Sequence, residues 1–168
     1  MYPFISYSCT FIYFPIISDE VTVNVTGYVY TYTHYNVKET SSFTFKVKGP
    51  SDAHLGLFAD MKSSFVGESF YEIIIGGWTN TKCALRKAGY TGTVERSVDN
   101  NNHCHISAGS FLSYWISWED NIIQLGHGAT VGINTIFTYH DTAAPMEINY
   151  LALGAVHVVT NQFKYYNG

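Results

Sequence analysis

The chain has 168 residues, of which 46% are hydrophobic and 13% charged, enough to bury one substantial core and low in charge for an average domain. A formal net charge of −4 and the lack of any Lys/Arg cluster exclude the electrostatic footprint of a nucleic-acid binder. Aromatics make up 17%, led by 14 Tyr and 11 Phe, side chains that suit pleated, half-buried surfaces better than helices.

Met1 to Ser18 carries no charge, yet Pro3 and Pro15 interrupt it and no Lys or Arg precedes it. It therefore reads as neither a membrane span nor a signal peptide. Tyr2, Phe4, Tyr7, Phe11, Tyr13 and Phe14 mark residues 1–20 as an aromatic extension, an extra strand or a partner-contacting segment, ahead of one domain over 21–168. Val21, Val23 and Val25 alternate with polar residues, and the period of two continues past Gly27 through Tyr28, Tyr30 and Tyr32, predicting one long strand. In Ser42 to Lys48 the alternation puts Phe43, Phe45 and Val47 inward and Lys46 and Lys48 outward, until Gly49-Pro50 ends it. Strands follow around His54–Phe58 and Phe70–Ile75.

Gly76-Gly77-Trp78-Thr79-Asn80 reads as a turn or bulge that re-aims the chain before a short strand at Cys83–Lys87. Asp99 to His103 is a loop. Leu112–Trp118 and Ile122–Leu125 form a hairpin around Glu119-Asp120-Asn121, where Asn121 suits the left-handed backbone of such connections. Val131–Tyr139 and Ile148–Val159 complete the strands, with Pro145 in the turn between them. No long segment shows a 3.6-residue period, and there is no repeat or linker. The expectation is an all-β fold, a two-sheet antiparallel β-sandwich of jelly-roll type with at least eight strands and little or no helix.

Cys9, Cys83 and Cys104 show no CxxC spacing, so at most one intrachain pair can form and which one stays open. Asn24-Val-Thr is a glycosylation acceptor if the chain is secreted, and the reading leans towards an extracellular over a cytoplasmic location. No GxGxxG, GxxxxGK[ST], GxSxG or HExxH occurs, so no cofactor is assigned. His103-Cys104-His105 could offer soft metal ligands, but no second cluster accompanies it, and a polar loop with a partly buried Cys is the preferred reading. No metal is assigned.

The richest constellation of polar and aromatic residues is Asp52, His54, Trp78, Asn80, Arg86, Trp115, Trp118, Asp120 and His127, all at strand ends or turns. Aromatic faces stack on sugar C–H surfaces, and Asp, Asn, Arg and His bond hydroxyls, so this set suits a saccharide or another small polar ligand. Each has a structural alternative. Trp115, in a hydrophobic strand, reads as core, which leaves eight candidates. Asp120 reads as a hairpin cap, and Arg86 as a partner of Asp52 or Asp120 that locks loop geometry. The Gly76-Gly77 pair frees the backbone to set Trp78 at the sheet edge.

Three blocks carry a family resemblance: Phe45-Lys-Val-Lys-Gly-Pro-Ser-Asp-Ala-His-Leu-Gly-Leu57; Tyr71-Glu-Ile-Ile-Ile-Gly-Gly-Trp-Thr-Asn-Thr-Lys82 with Arg86; and Tyr114-Trp-Ile-Ser-Trp-Glu-Asp120 followed by Gly126-His-Gly128. In this order they closely resemble the farnesoic acid O-methyltransferase domain, from about Tyr30 to Phe163. The resemblance implies a β-sandwich and, through the family's name, methyl transfer from S-adenosylmethionine in juvenile hormone synthesis. The same domain also occurs as a module of larger animal proteins. Asn121 stands where the family usually has Gly, and Gly154-Ala-Val-His157 where it usually has a Gly-Trp-Gly stretch.

Three functions follow. The first is a non-catalytic module that binds carbohydrate or another small polar ligand, since no strand–Gly-turn–helix offers backbone N–H groups to a cofactor. The alternatives are an S-adenosylmethionine-dependent farnesoic acid O-methyltransferase, and a structural or self-assembling extracellular protein that pairs through edge strands or residues 1–20.

Overall fold

In a computed structural model, residues 19–62, 68–87, 92–156 and 158–167 are described. Twelve strands appear among them: β1 (Glu20–Thr26), β2 (Thr31–Tyr32), β3 (Ser42–Lys48), β4 (Ala53–Phe58), β5 (Tyr71–Gly76), β6 (Lys82–Lys87), β7 (Thr93–Asp99), β8 (Leu112–Glu119), β9 (Ile122–His127), β10 (Thr135–His140), β11 (Tyr150–Ala155) and β12 (Thr160–Tyr166). They form two six-stranded antiparallel sheets, β1-β12-β3-β8-β9-β10 and β2-β11-β4-β5-β6-β7. The molecule is the jelly-roll type of sandwich that the sequence predicts. Residues 1–18 of the aromatic extension lie outside the described residues, and Glu20 already pairs with Tyr166 in β1.

Alternation explains the core. Phe43, Phe45 and Val47 of β3 face Leu55 and Leu57 of β4 and Ile73 and Ile75 of β5 across the sandwich, all buried. Each such side chain contributes about 1.5–3 kcal/mol on burial. The hairpin β8–β9 turns through Asp120 and Asn121, with φ of 50° and 61°, the doubly left-handed pair a two-residue hairpin requires.

Three strand expectations are corrected, and a further strand, β7, was not anticipated. The chain does not run straight past Gly27: with φ of 72° that glycine ends β1, and the chain crosses to the second sheet as the short β2. Residues 131–134 form a turn, so β10 starts at Thr135 instead of Val131. β11 stops at Ala155, and a separate β12 fills the space between β1 and β3. β7, whose residues are exposed or half-buried, pairs with β6 at a sheet edge and shows no clean apolar alternation. Trp115 is fully buried, but outside the main core: it lies over Gly126, where an added Cβ would come within 2.2 Å of the indole, and Nε1–H donates to the Ile133 carbonyl (2.8 Å).

The second sheet is covered on its outer face as well. Tyr30, Tyr32 and Tyr150 pack there against Phe58, Phe70 and Ala152. Gly154 makes room for them, since a Cβ at that position would meet the Tyr30 ring at 2.9 Å. This cover explains why β4 and β5 read as continuous hydrophobic runs, and why polar residues of those strands are buried on the outward side.

Candidate ligand-binding depression

With Leu55, Ile73 and Leu85 turned into the core, His54, Glu72 and Arg86 of three adjacent strands share the outer face of the second sheet. Glu72 is the hub, only 1% exposed. Its Oε1 accepts from Tyr30 Oη (2.7 Å) and lies 2.8 Å from His54 Nδ1, and Oε2 accepts from Arg86 Nη1 (3.3 Å). Burial alone pushes the Glu72 carboxyl up, but the hydrogen bonds from His54 and Tyr30 and the charge of Arg86 outweigh it, leaving the carboxyl below its usual range. Tyr30 is pushed well up by burial and by the Glu72 charge, so it stays a donor.

This hub corrects the expected partner of Arg86, which is neither Asp52 nor Asp120. Both candidates sit on turns, whereas Glu72 stands directly opposite Arg86 in the β5–β6 register. No hydrogen bond or ion pair engages the Asp52 carboxylate among the described residues.

The turn after β5 supplies the rim. Gly76, Trp78, Thr79 and Asn80 all have positive φ, at 66°, 51°, 59° and 64°, so the chain makes a left-handed turn. Left-handed backbone costs non-glycine residues roughly 1–2 kcal/mol each. The turn is tied at several points: Asn80 Nδ2 donates to the Ile106 carbonyl and Oδ1 accepts from Ile106 N (both 2.8 Å), Asp52 N donates to the Gly76 carbonyl (2.8 Å), and Thr81 Oγ1 to the Trp78 carbonyl (2.7 Å). Trp78 itself is 42% exposed, with the Lys82 ammonium 5.6 Å and the Arg86 guanidinium 5.4 Å from the ring centroid. Such contacts contribute ~0.5–1 kcal/mol at exposed sites and orient the indole.

Between this rim and the sheet lies a depression of about 470 Å3, lined by Asp52, His54, Trp78, Thr79 and Arg86 with Ile74 and Val156. Its volume falls in the ~300–1,000 Å3 range of small-molecule sites. Four of the eight candidate residues, Asp52, His54, Trp78 and Arg86, thus converge.

The other four do not. Asn80 is the strut of the turn. Trp118, 8% exposed, faces the core and lines a separate hollow of about 230 Å3 with Asp120, Tyr71 and Met146, at the opposite end of β5. Asp120 is the hairpin residue already described. His127 stacks on His103 (4.7 Å between centroids, 11° between planes), and burial together with the His103 charge lowers its pKa. Cys83 and Cys104 form a disulfide from β6 to the loop after β7, which removes Cys104 as a metal ligand. Cys9 lies outside the described residues.

Reading the sequence missed Glu72, Tyr30 and Thr79. A signal for Glu72 existed: a lone carboxylate in Tyr71-Glu-Ile-Ile-Ile75 has to find partners once the strand is covered on both faces.

The profile of the family described as farnesoic acid O-methyl transferase matches residues 24–167. The chain belongs to that family. Among curated proteins, "Uncharacterized protein 5" of Haliotis asinina is 29% identical over 104 residues, which cover 62% of this chain and 57% of that relative's length. Among solved structures, the carbohydrate binding module CBM66 from Bacillus subtilis superposes with a TM-score of 0.54 at 9% identity, covering 89% of this chain and 81% of that one. A prokaryotic beta-1,3-1,4-glucanase (lichenase) derived from a mouse hindgut metagenome gives 0.55 at 11%, covering 88% and 79%. At these identities the likeness is one of fold. No helix of the described residues is long and apolar enough to cross a membrane.

Proposed function

We propose that this domain is a non-catalytic module that binds a carbohydrate in the Trp78 depression. One observation carries the reading: an exposed indole stands at the rim of a hollow that also presents the Asp52 carboxylate, the Arg86 guanidinium and the His54 imidazole. An aromatic face beside fixed donors and acceptors is what a sugar ring needs, with its C–H surface on one side and its hydroxyls around the edge.

The methyltransferase named by the family is the weaker reading. S-adenosylmethionine and a long-chain acid would have to share one depression of about 470 Å3, whose apolar lining is Ile74, Val156 and the indole. Asp52 and the underlying Glu72 outnumber Arg86 in charge and would repel the acceptor carboxylate. The residues present do not fit that pair.

An extracellular location is part of the proposal. Disulfides persist in oxidising compartments, and Asn24 of the glycosylation acceptor is exposed on β1.

A glycan array probed with the wild-type domain and with Trp78→Ala tests the reading. Binding by the wild type that Trp78→Ala loses supports it. An empty array, or binding that survives the substitution, overturns it.

A further inference from the structure

Among the described residues, one polar side-chain atom at the depression is buried and still lacks a partner. His54 is 3% exposed and lines the hollow; Nδ1 is engaged with Glu72, and Nε2 is buried with no hydrogen-bond partner among the described residues. Buried polar atoms are satisfied in the great majority of cases, and an orphan calls for a specific explanation. Resting on the carbohydrate reading above, we propose that His54 is the specificity-determining acceptor of this site, offering the Nε2 lone pair to a hydroxyl of a neutral sugar and thereby selecting against sugar carboxylates.

The tautomer follows from the hub. Ionised Glu72 can only accept, so the proton between it and His54 sits on Nδ1. Arg86 already supplies Glu72 with a positive charge, and a second cation at His54 would leave a charged N–H donor buried without an acceptor. The neutral imidazole therefore carries its proton towards Glu72 and its lone pair on Nε2. Tyr30 and Arg86, bound to the same carboxylate, hold Glu72 in place and so fix the ring behind it.

A lone pair can pair only with a donor. A hydroxyl meets that need, whereas an ionised carboxylate at the same place sets acceptor against acceptor. Asp52 adds a second acceptor in the same hollow, and Arg86 is its donor, so a ring bearing neighbouring hydroxyls can satisfy both kinds of partner. An unmet buried acceptor costs enough that losing this one bond should weaken binding about tenfold.

The test uses the whole domain and defined probes: the methyl glycosides of glucose, galactose and mannose, together with glucuronate and galacturonate. Long-range 1H–15N spectra of the free wild-type protein read the His54 tautomer directly. Titrations then follow the Trp78 indole and His54 ring signals, in the wild type, His54→Phe and His54→Asn. The expected result is a proton on Nδ1, at least one glycoside that perturbs both residues, its uronate counterpart binding at least tenfold more weakly, and a similar loss in both variants with folding retained in at least one. If no probe perturbs Trp78, the carbohydrate reading itself fails. If a glycoside binds at Trp78 while His54 carries its proton on Nε2 or on both nitrogens, while the uronate binds equally well, or while a folded His54 variant binds normally, the inference about His54 fails alone.

Discussion

Replacing Glu72 by Ala should be the most damaging single change at the site, although Glu72 does not line the depression. The substitution takes a hydrogen-bond partner from the Tyr30 hydroxyl, from His54 Nδ1 and from an Arg86 side chain that is only 17% exposed. Removing one member of a buried charged pair costs about 3–5 kcal/mol. For a chain of this size each kcal/mol moves the melting temperature by roughly 2–4 °C, so the fall should be about 6–20 °C. Arg86→Ala leaves Glu72 with two buried donors and should cost less, about 1–3 kcal/mol. Asp52→Asn is the control. Asn tolerates the Asp52 φ of 54°, and the Asp52 carboxylate has no partner among the described residues to lose, so its effect should stay within about 0.5 kcal/mol. Differential scanning calorimetry of the three variants orders them. If Asp52→Asn destabilises as much as Glu72→Ala, or Arg86→Ala more than Glu72→Ala, the hub is wrongly assigned and Arg86 answers to Asp52 after all.

Trp78→Gly should abolish glycan binding on the array while holding or raising the melting temperature, because glycine takes a φ of 51° without penalty; a sharp fall in stability would show that the indole is structural. Gly154→Val should cost about 1–3 kcal/mol by driving a side chain into the Tyr30 ring, read as a lower urea midpoint, and an unchanged midpoint would contradict the tyrosine cover. Asp141 is buried and held by Lys87 and Tyr71, which outweigh burial and lower its pKa from 3.8 to about 2. A depressed carboxyl contributes stability that is complete above its ordinary value and lost as pH falls through the lowered one, so wild-type stability should decline between 3.8 and about 2, and Asp141→Asn should flatten that decline in urea titrations against pH.

The parts of the fold legible in the sequence are those where one face is wet. β3 alternates cleanly because Lys46 and Lys48 look outward, and the β8–β9 hairpin is announced by Asp120-Asn121, which its left-handed turn demands. β7 was invisible because an edge strand with no buried residue has no hydrophobic period to show. β12 is hidden for another reason: its buried set includes Asn161, whose amide donates to the Ser51 and Asp52 carbonyls (3.0 Å each), so a polar letter occupies an inward position. At the site, Asp52, Trp78 and Arg86 were readable as turn-borne polar and aromatic groups. Which sheet end each candidate occupies depends on register, and that is why Trp118 and Asp120 were grouped with residues at the far end of β5. Glu72 was lost for a related reason, since the pairing of Glu72 with Arg86 is a statement about neighbouring strands.

The rim turn spends its ties unevenly, and the distribution bears on what it is for. Trp78, Thr79 and Asn80 are successive non-glycine residues in the left-handed region, an arrangement that persists only where surroundings over-determine it. The bonds that do so engage the Asn80 amide, the Thr81 hydroxyl and the backbone of Gly76, Gly77 and Thr81. Ile106, which grips Asn80 from both sides, lies two residues after Cys104, so the Cys83–Cys104 disulfide ties the gripping loop back to β6. Each of these contacts restrains the backbone, whereas the indole ring itself is approached by the Lys82 and Arg86 cations. Had the turn existed only to join β5 to β6, a glycine at position 78 would have relieved the strain at no cost to any bond named here. A tryptophan kept in an unfavourable conformation, braced through its neighbours and left 42% exposed beside an unpaired imidazole nitrogen, is accounted for by what it presents to the depression.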